Sequence, residues 1–171
     1  GVNDSGVLAG EALIDVEAGS YHTCALSHDG DVFCWGAILG DGTGESSTRP
    51  VAADLSKIPL DETVTSLHSA FDTVCAITDV GHAYCWGGSR RGQTGTGIVA
   101  DRVHRPTPVV RNGVLTGVEL TELVMPSSTT MCGLSTAGRI YCWGDDENGI
   151  LGNGDFNGKS SVPVAVIDDG V

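Results

Sequence analysis

A pair of cysteines separated by nine residues occurs three times in this chain of 171 residues. The surrounding sequence repeats as HTCALSHDGDVFCWG at 22–36, TVCAITDVGHAYCWG at 73–87 and TMCGLSTAGRIYCWG at 130–144. The spacing inside each pair is constant, whereas successive copies are offset by 51 and then 57 residues. A constant unit with connections of variable length predicts one structural motif that is copied three times.

The spacing inside each pair predicts a β-hairpin. If the two cysteines face each other, the last residue of a three-residue turn falls at the same offset in every copy. That residue is always glycine, namely Gly30, Gly81 and Gly138. A type I turn followed by a bulge needs positive φ at this place, which glycine adopts without strain. Facing cysteines in the closer register lie within disulfide distance. We therefore expect the disulfides Cys24–Cys34, Cys75–Cys85 and Cys132–Cys142.

Zinc binding and buried free thiols are the two alternatives to disulfide bonds for these cysteines. Zinc knuckles place cysteines two to four residues apart, and no such spacing occurs here. Buried free thiols remain an alternative for a protein of a reducing compartment. Because disulfides persist in oxidising compartments, three of them predict an extracellular or cell-surface protein.

Further β-rich stretches flank each hairpin. Residues 13–18, 64–69 and 118–124 precede the hairpins, and proline-led stretches follow at 49–52, 106–110 and 162–166. Four short strands in about fifty residues are typical of a propeller blade. We expect an all-β single repeat domain over 1–171, with three four-stranded blades at about 8–55, 60–111 and 114–167. Proline at the start of the last strand favours an edge position.

The repeat resembles a known family. The run His-Thr-Cys-Ala-Leu, then Asp-Gly, Cys-Trp-Gly and Gly-Gln-x-Gly-x-Gly is similar to the regulator of chromosome condensation repeat, over about 13–166. The cysteines look like those of secreted bacterial versions. The resemblance implies a propeller, usually of seven blades, that recognises proteins through loops on one face. Members include a nucleotide-exchange factor for a nuclear GTPase, domains of ubiquitin ligases and a secreted bacterial β-lactamase inhibitor. No residue here matches the functional loop of the exchange factor.

Three blades do not close a ring, since propellers have four to eight. The unpaired ends predict a fragment of a longer chain, two chains in a six-bladed ring, an open stack, or an unlike partner chain that supplies blades. The chain starts without a charged-then-apolar leader, so we expect either a removed signal or a longer parent chain.

The net charge of the chain and the motifs that it lacks argue against several classes of function. The net charge of −13 argues against nucleic acids and anionic membranes, and no apolar run has the length of a membrane span. No nucleophile motif or phosphate loop occurs, so we do not expect an enzyme. The five histidines share no ligand-like spacing, so we expect no metal and no cofactor. A calcium loop is the alternative at the acidic residues Asp145, Glu147 and Asp155, although no glutamate occupies its twelfth position.

One basic cluster stands out in this acidic chain. Four arginines crowd the long loop of the second copy, namely Arg90, Arg91, Arg102 and Arg105. They predict a docking patch for an acidic partner, including a second copy of this chain, and a solvated loop is the alternative. The preceding acidic stretch Asp54, Asp61 and Glu62 is complementary in charge.

These observations favour a binding module. We expect an extracellular repeat domain that binds protein through its rim loops at 37–47, 88–105 and 145–159. One alternative is a structural subunit of a surface assembly or fibre joined by strand pairing of its ends. A second alternative is a secreted enzyme inhibitor. The three tryptophans, Trp35, Trp86 and Trp143, are expected to pack blade against blade rather than to form a binding cluster.

Overall fold

A computed structural model describes residues 6–156 and 158–167. Within these ranges all regular structure is β, apart from one 3-10 turn at Glu147–Gly149. The strands are β1 (Leu13–Ala18), β2 (His22–Ser27), β3 (Val32–Gly36), β4 (Ser47–Ala52), β5 (Val64–Ala70), β6 (Thr73–Thr78), β7 (Ala83–Ser89), β8 (Ala100–Pro108), β9 (Leu120–Ser127), β10 (Thr130–Ser135), β11 (Ile140–Asp145) and β12 (Lys159–Ala165).

The strands form three separate sheets of four. Each sheet is an antiparallel meander in chain order, β1 to β4, β5 to β8 and β9 to β12. We call these sheets blade 1, blade 2 and blade 3. This is the all-β arrangement of propeller blades that the sequence predicts, and it is confirmed.

The cysteine hairpins have the register expected from their spacing. Within each blade the two cysteines lie directly opposite each other and are disulfide-bonded, with Cα atoms 4.0 to 4.1 Å apart. The glycine that ends each turn has positive φ, at 88° in Gly30, 73° in Gly81 and 74° in Gly138. A side chain on these residues would be strained, which explains why all three copies use glycine.

The outer strands differ from expectation in one respect. Proline was expected to begin them, but β4, β8 and β12 begin several residues earlier and carry Pro50, Pro106 and Pro163 in their interiors. In each sheet the proline lies where the register with the neighbouring strand shifts. Proline cannot donate a ladder hydrogen bond, so an irregularity in an edge strand is where the strand tolerates it.

The hydrophobic core lies between adjacent blades. One cluster joins side chains of blade 1, including Leu26 and Val32, to Leu67 and Trp86 of blade 2. A second cluster joins blade 2 to blade 3 and centres on the buried Trp143. Because each sheet hides its apolar face against the next sheet, the stability of one blade depends on its neighbour.

The antiparallel order defines two ends of the blades. The turns after the first strand and the loops after the third strand of each blade emerge at one end, which we call the loop face. The cysteine hairpin turns and the links between blades emerge at the opposite end, which we call the hairpin face. The rim loops expected to bind a partner therefore all belong to the loop face.

Candidate functional site

The tryptophans of blades 2 and 3 each pack on the glycine-rich loop of the blade before. Trp86 and Trp143 are fully buried. A Cβ atom on Gly40 would lie 2.8 Å from Nε1 of Trp86, and a Cβ atom on Gly95 would lie 2.6 Å from Nε1 of Trp143. Trp35, in the first blade, is only partly buried. The expected packing role is therefore seen for the two tryptophans that follow another blade.

A backbone hydrogen bond repeats this interlock. The amide of Gly42 in blade 1 donates to the carbonyl oxygen of His104 in blade 2 at 3.0 Å. The amide of Gly97 in blade 2 donates to Ser161 in blade 3 at 2.9 Å. The matching glycine of blade 3, Gly154, makes no such bond among the described residues. Among the described residues, one sheet face of blade 1 and one of blade 3 pack against no other blade. These two faces carry the same kind of contact surface that the blades use where they do meet.

The loop after the third strand is shorter in blade 1, and the first carbonyl group of this loop has a different hydrogen-bond donor. In blades 2 and 3 a threonine hydroxyl donates to the carbonyl oxygen at the start of the loop, from Thr73 to Gly88 at 3.2 Å and from Thr130 to Asp145 at 2.9 Å. In blade 1 the corresponding carbonyl of Ala37 accepts from the guanidinium of Arg102 at 3.0 Å.

His22 stands where the other blades have threonine. It is buried between blades 1 and 2, with Nε2 2.7 Å from the hydroxyl of Ser69 and with Nδ1 lacking a partner among the described residues. Burial, followed by the nearby charge of Arg102, lowers the pKa of His22 to about 4. The ring is therefore neutral at physiological pH.

The structure divides the four arginines of the basic cluster into two kinds. Arg102 and Arg105 brace blade 2 against blade 1, since Arg102 binds the Ala37 carbonyl and Arg105 pairs with Asp54 at 3.1 Å. Arg90 and Arg91 project at the loop face, with side chains 75% and 56% exposed. Arg90 pairs with the exposed Asp101 at 3.0 Å, and Arg91 lies 3.9 Å from Asp145 of blade 3.

An open cleft of about 590 Å³ lies on the loop face. The turns of blades 2 and 3, the long loop of blade 2 and strand β8 enclose it, and its lining residues are Phe71, Asp72, Arg90, Arg91, Gln93, Asp101, Arg102, His104 and Thr129. Three arginines and two aspartates line this cleft, whereas the whole chain has 9 basic and 22 acidic residues. The local charge balance is therefore opposite to that of the chain.

Phe71 lines the cleft, and its exposed ring contacts the exposed ring of Tyr21 from blade 1. Tyr21 and Phe71 are 61% and 46% exposed, and their rings meet edge to face with centroids 6.0 Å apart. Phe71 has a φ of 51°, which is unusual for a residue other than glycine. Its carbonyl oxygen accepts a hydrogen bond from the amide of Ser20 in blade 1 at 2.8 Å, which fixes this backbone. The sequence signal for the pair is weak, since each ring is a single aromatic residue in a turn.

The three acidic candidates have different surroundings. Asp145 faces Arg91, Glu147 lies in the 3-10 turn and Asp155 is exposed. The buried carboxylate in this loop is Asp146, which accepts a hydrogen bond from the amide of Leu151 at 3.0 Å. Across 6–156 and 158–167, no three His, Cys, Asp or Glu side chains come together as metal ligands.

Glu62 serves the fold rather than the docking patch. Its carboxylate accepts hydrogen bonds from the hydroxyls of Thr78 at 2.9 Å and Tyr84 at 3.3 Å, and it lies 2.8 Å from Nδ1 of His82. The side chain of Glu62 is only 8% exposed. It therefore fastens the link between blades 1 and 2 to the hairpin face of blade 2, while the adjacent Asp61 is exposed.

The described residues contain no helix that is long and apolar enough to pass through a membrane.

The remaining histidines do not form a common site. His28 is exposed beside Asp29, and His68 lies near Ser66. His104 lies in β8, which begins inside the stretch 88–105 that was expected to be a loop.

Comparison with known proteins agrees with the blade geometry. Two models of the regulator of chromosome condensation (RCC1) repeat match residues 13–37 and 137–170. The RCC1 domain-containing protein RUG3, mitochondrial, from Arabidopsis thaliana is 28% identical over 90% of this chain. The chain spans 35% of the length of that relative.

Two solved structures share the fold. Human WBSCR16 superposes with a TM-score of 0.78 at 22% identity, over 92% of this chain and 38% of that one. Prp20p from Saccharomyces cerevisiae, whose structure is described with its binding properties to Gsp1p and histones, gives a TM-score of 0.74 at 19% identity over 92% and 39%. The two repeat matches and the relative show that this chain carries regulator of chromosome condensation (RCC1) repeats, and the solved structures share their fold.

Proposed function

We propose that this chain is an extracellular binding module that recognises a protein partner through its loop face. The observation that carries the proposal is the cleft beside the Tyr21–Phe71 pair, where exposed aromatic rings and exposed arginines meet on a rigid scaffold. Aromatic residues and arginine are enriched at protein interfaces and in their energetic centres. Loops held by packed blades suit recognition because the scaffold limits the entropy lost on binding.

The extracellular setting rests on the cysteines. All six are paired in the structure, and each pair bridges neighbouring strands of one hairpin. Three structural disulfides are typical of an oxidising compartment. Thiol labelling of the protein in its native source tests this part separately. We expect no free thiol before reduction and six after it, whereas six free thiols before reduction contradict the extracellular assignment.

Site-directed photo-cross-linking tests the binding face. A benzophenone amino acid replaces Tyr21 on the loop face in one variant and Val80 on the hairpin face in a matched variant. Both positions are exposed, and Val80 lies in the cysteine hairpin turn of blade 2. Each variant is irradiated in extracts or culture fluid of its source, and the cross-linked proteins are identified by mass spectrometry.

We expect position 21 to give a discrete cross-linked protein that is absent from position 80. A variant that also carries Arg90→Ala and Arg91→Ala should lose this product. Equal products from both faces, or products from position 80 alone, contradict a partner site on the loop face.

The open ends of the three-blade arc favour a second candidate, a structural subunit. Trp35 is only partly buried, and within residues 6–156 and 158–167 Gly154 lacks the interblade bond that Gly42 and Gly97 make. The surfaces left open are sheet faces, so joining would take place by packing of blade faces rather than by strand pairing. Light scattering over a range of concentrations tests this role. A mass that grows with concentration, and that Trp35→Ala keeps at one chain, supports assembly, while a constant single-chain mass contradicts it.

A further inference from the structure

We infer that the loop-face cleft recognises an acidic peptide segment that also carries an aromatic or aliphatic anchor. This inference rests on the proposed function and adds the chemistry of the partner. The two parts of the recognition are the Tyr21–Phe71 pair for the apolar anchor and the Arg90–Arg91 pair for carboxylates.

The charge of the cleft selects an acidic segment. The chain carries a net charge of −13, so most of its surface repels carboxylates. The cleft is lined by three arginines, Arg90, Arg91 and Arg102, against two aspartates, Asp72 and Asp101. An arginine guanidinium binds a carboxylate in a paired geometry, which also fixes its direction.

The two outer arginines are available to a partner. Arg90 and its companion Asp101 are 75% and 84% exposed, and such exposed ion pairs are weak. Arg91 lies 3.9 Å from the nearest oxygen of Asp145, at the outer limit of an ion pair. A carboxylate of the partner can therefore replace Asp101 at Arg90 and engage Arg91 without breaking a buried contact.

The backbone of Phe71 indicates a use for its ring. The residue adopts a φ of 51° while its side chain stays exposed, so burial of the ring does not offset the conformational cost. Glycine would adopt this conformation freely, and the corresponding turn positions in blades 1 and 3 are Ser20 and Ser128. A phenyl ring at this place contacts Tyr21 and the mouth of the cleft, where it can receive an apolar anchor.

Fluorescence anisotropy with designed peptides tests the inference. The probe is a labelled peptide in which glutamate and aspartate alternate with phenylalanine. One comparison peptide has glutamine and asparagine in place of the acidic residues, and a second has serine in place of phenylalanine. We expect the acidic aromatic peptide to bind about tenfold more tightly than either, and its affinity to fall with added salt.

Substitutions test the arginine part and the aromatic part of the site separately. Arg90→Ala with Arg91→Ala should weaken the acidic peptide about tenfold, and Phe71→Gly should weaken it without lowering the melting temperature. Asp101→Asn, which frees Arg90, should strengthen binding. Arg139→Ala is the matched control, because it removes an exposed arginine of the hairpin face and should leave the affinity unchanged.

Three results overturn the inference, namely equal affinity for the acidic and neutral peptides, weakening by Arg139→Ala as large as that by the cleft variants, or no gain from Asp101→Asn. Its failure is separable from that of the proposed function. If position 21 cross-links a partner through a segment that is neither acidic nor apolar, the loop face remains the binding face and only the partner chemistry is wrong.

Discussion

The indole nitrogen of Trp143 donates a hydrogen bond of 2.9 Å to the carbonyl oxygen of Gln93, which lies one blade earlier in the chain. The same loop continues into Gly95, where a Cβ atom would lie 2.6 Å from the indole nitrogen. Blades 2 and 3 are thus each fastened to the preceding blade by a tryptophan that packs on its glycine-rich loop, and among the described residues Trp143 adds a hydrogen bond that Trp86 does not make. This contact makes the blades depend on one another and holds the loops that surround the cleft.

The glycines that contact a tryptophan predict unequal effects of glycine-to-alanine substitutions on stability. Gly40, Gly95 and Gly152 occupy matching positions and have similar φ values of 73°, 67° and 63°, so alanine brings a similar backbone strain of about 1–2 kcal/mol to each. Only Gly40→Ala and Gly95→Ala also press a methyl group on an indole ring, whereas Gly152→Ala meets Val166. We predict that urea unfolding shows a further loss of about 1–3 kcal/mol for the first two variants. Equal losses at all three glycines contradict this packing.

The buried His22 predicts a loss of stability in weak acid. Its pKa falls from the ordinary 6.5 to about 4 in the folded chain, so the unfolded chain binds the proton more tightly. The stabilisation is complete above pH 6.5 and is lost as the pH falls toward 4, on the order of 2 kcal/mol after allowance for solvent screening. Burial lowers the pKa of His68 as well, which adds a loss of the same sign.

Chemical unfolding between pH 7 and pH 4.5 measures this effect. His22→Thr introduces the residue type that the other two blades use and should flatten the pH dependence of the free energy of unfolding. His28→Thr is the control, because the side chain of His28 is 78% exposed. A slope that His22→Thr leaves unchanged would show that the ring is not the titrating group.

The disulfides predict a similar stabilisation in every blade. Each one closes a loop with a sequence separation of 10 residues. A loop of this length gives about 2–3 kcal/mol in the chain-entropy model. Replacing both cysteines of one pair by alanine should therefore lower the free energy of unfolding by about this amount in any of the three blades. A loss well below 1 kcal/mol at all three pairs would contradict their expected role in stability.

The hydrogen bonds of Glu62 predict that the free energy of unfolding depends strongly on this one carboxylate. Glu62→Gln keeps the shape of the side chain but weakens its bonds to Thr78, His82 and Tyr84 in a buried setting. We expect the free energy of unfolding to fall by about 1–3 kcal/mol. Asp61→Asn makes the same change of charge at the exposed neighbouring residue and should have little effect. Burial, with Glu62 second, raises the pKa of Tyr84 to about 12, so Glu62→Gln should also lower that pKa.

The repeated hairpins could be predicted from the sequence because their determinants are local. Cysteine spacing and turn glycines set the register within fifteen residues, and four β-rich stretches per copy indicated the blades. The position of Pro50 inside β4 could not be foreseen, since it depends on a register shift against β3.

The candidate site was only partly predictable, because its contacts cross between blades. The arginines are close in sequence, but Arg102 is committed to Ala37, which lies 65 residues earlier. The exposed conformation of Phe71 depends on a hydrogen bond to Ser20 in another blade. Neither contact leaves a pattern in the local sequence, so the aromatic half of the cleft became visible only in the folded chain.

Photo-cross-linking from position 21 compared with position 80 tests the central claim most directly. We predict a discrete partner protein cross-linked from the loop face, lost when Arg90 and Arg91 are replaced by alanine, and no such product from the hairpin face. The same partner captured equally from both positions, or from position 80 alone, would contradict the assignment of the binding surface.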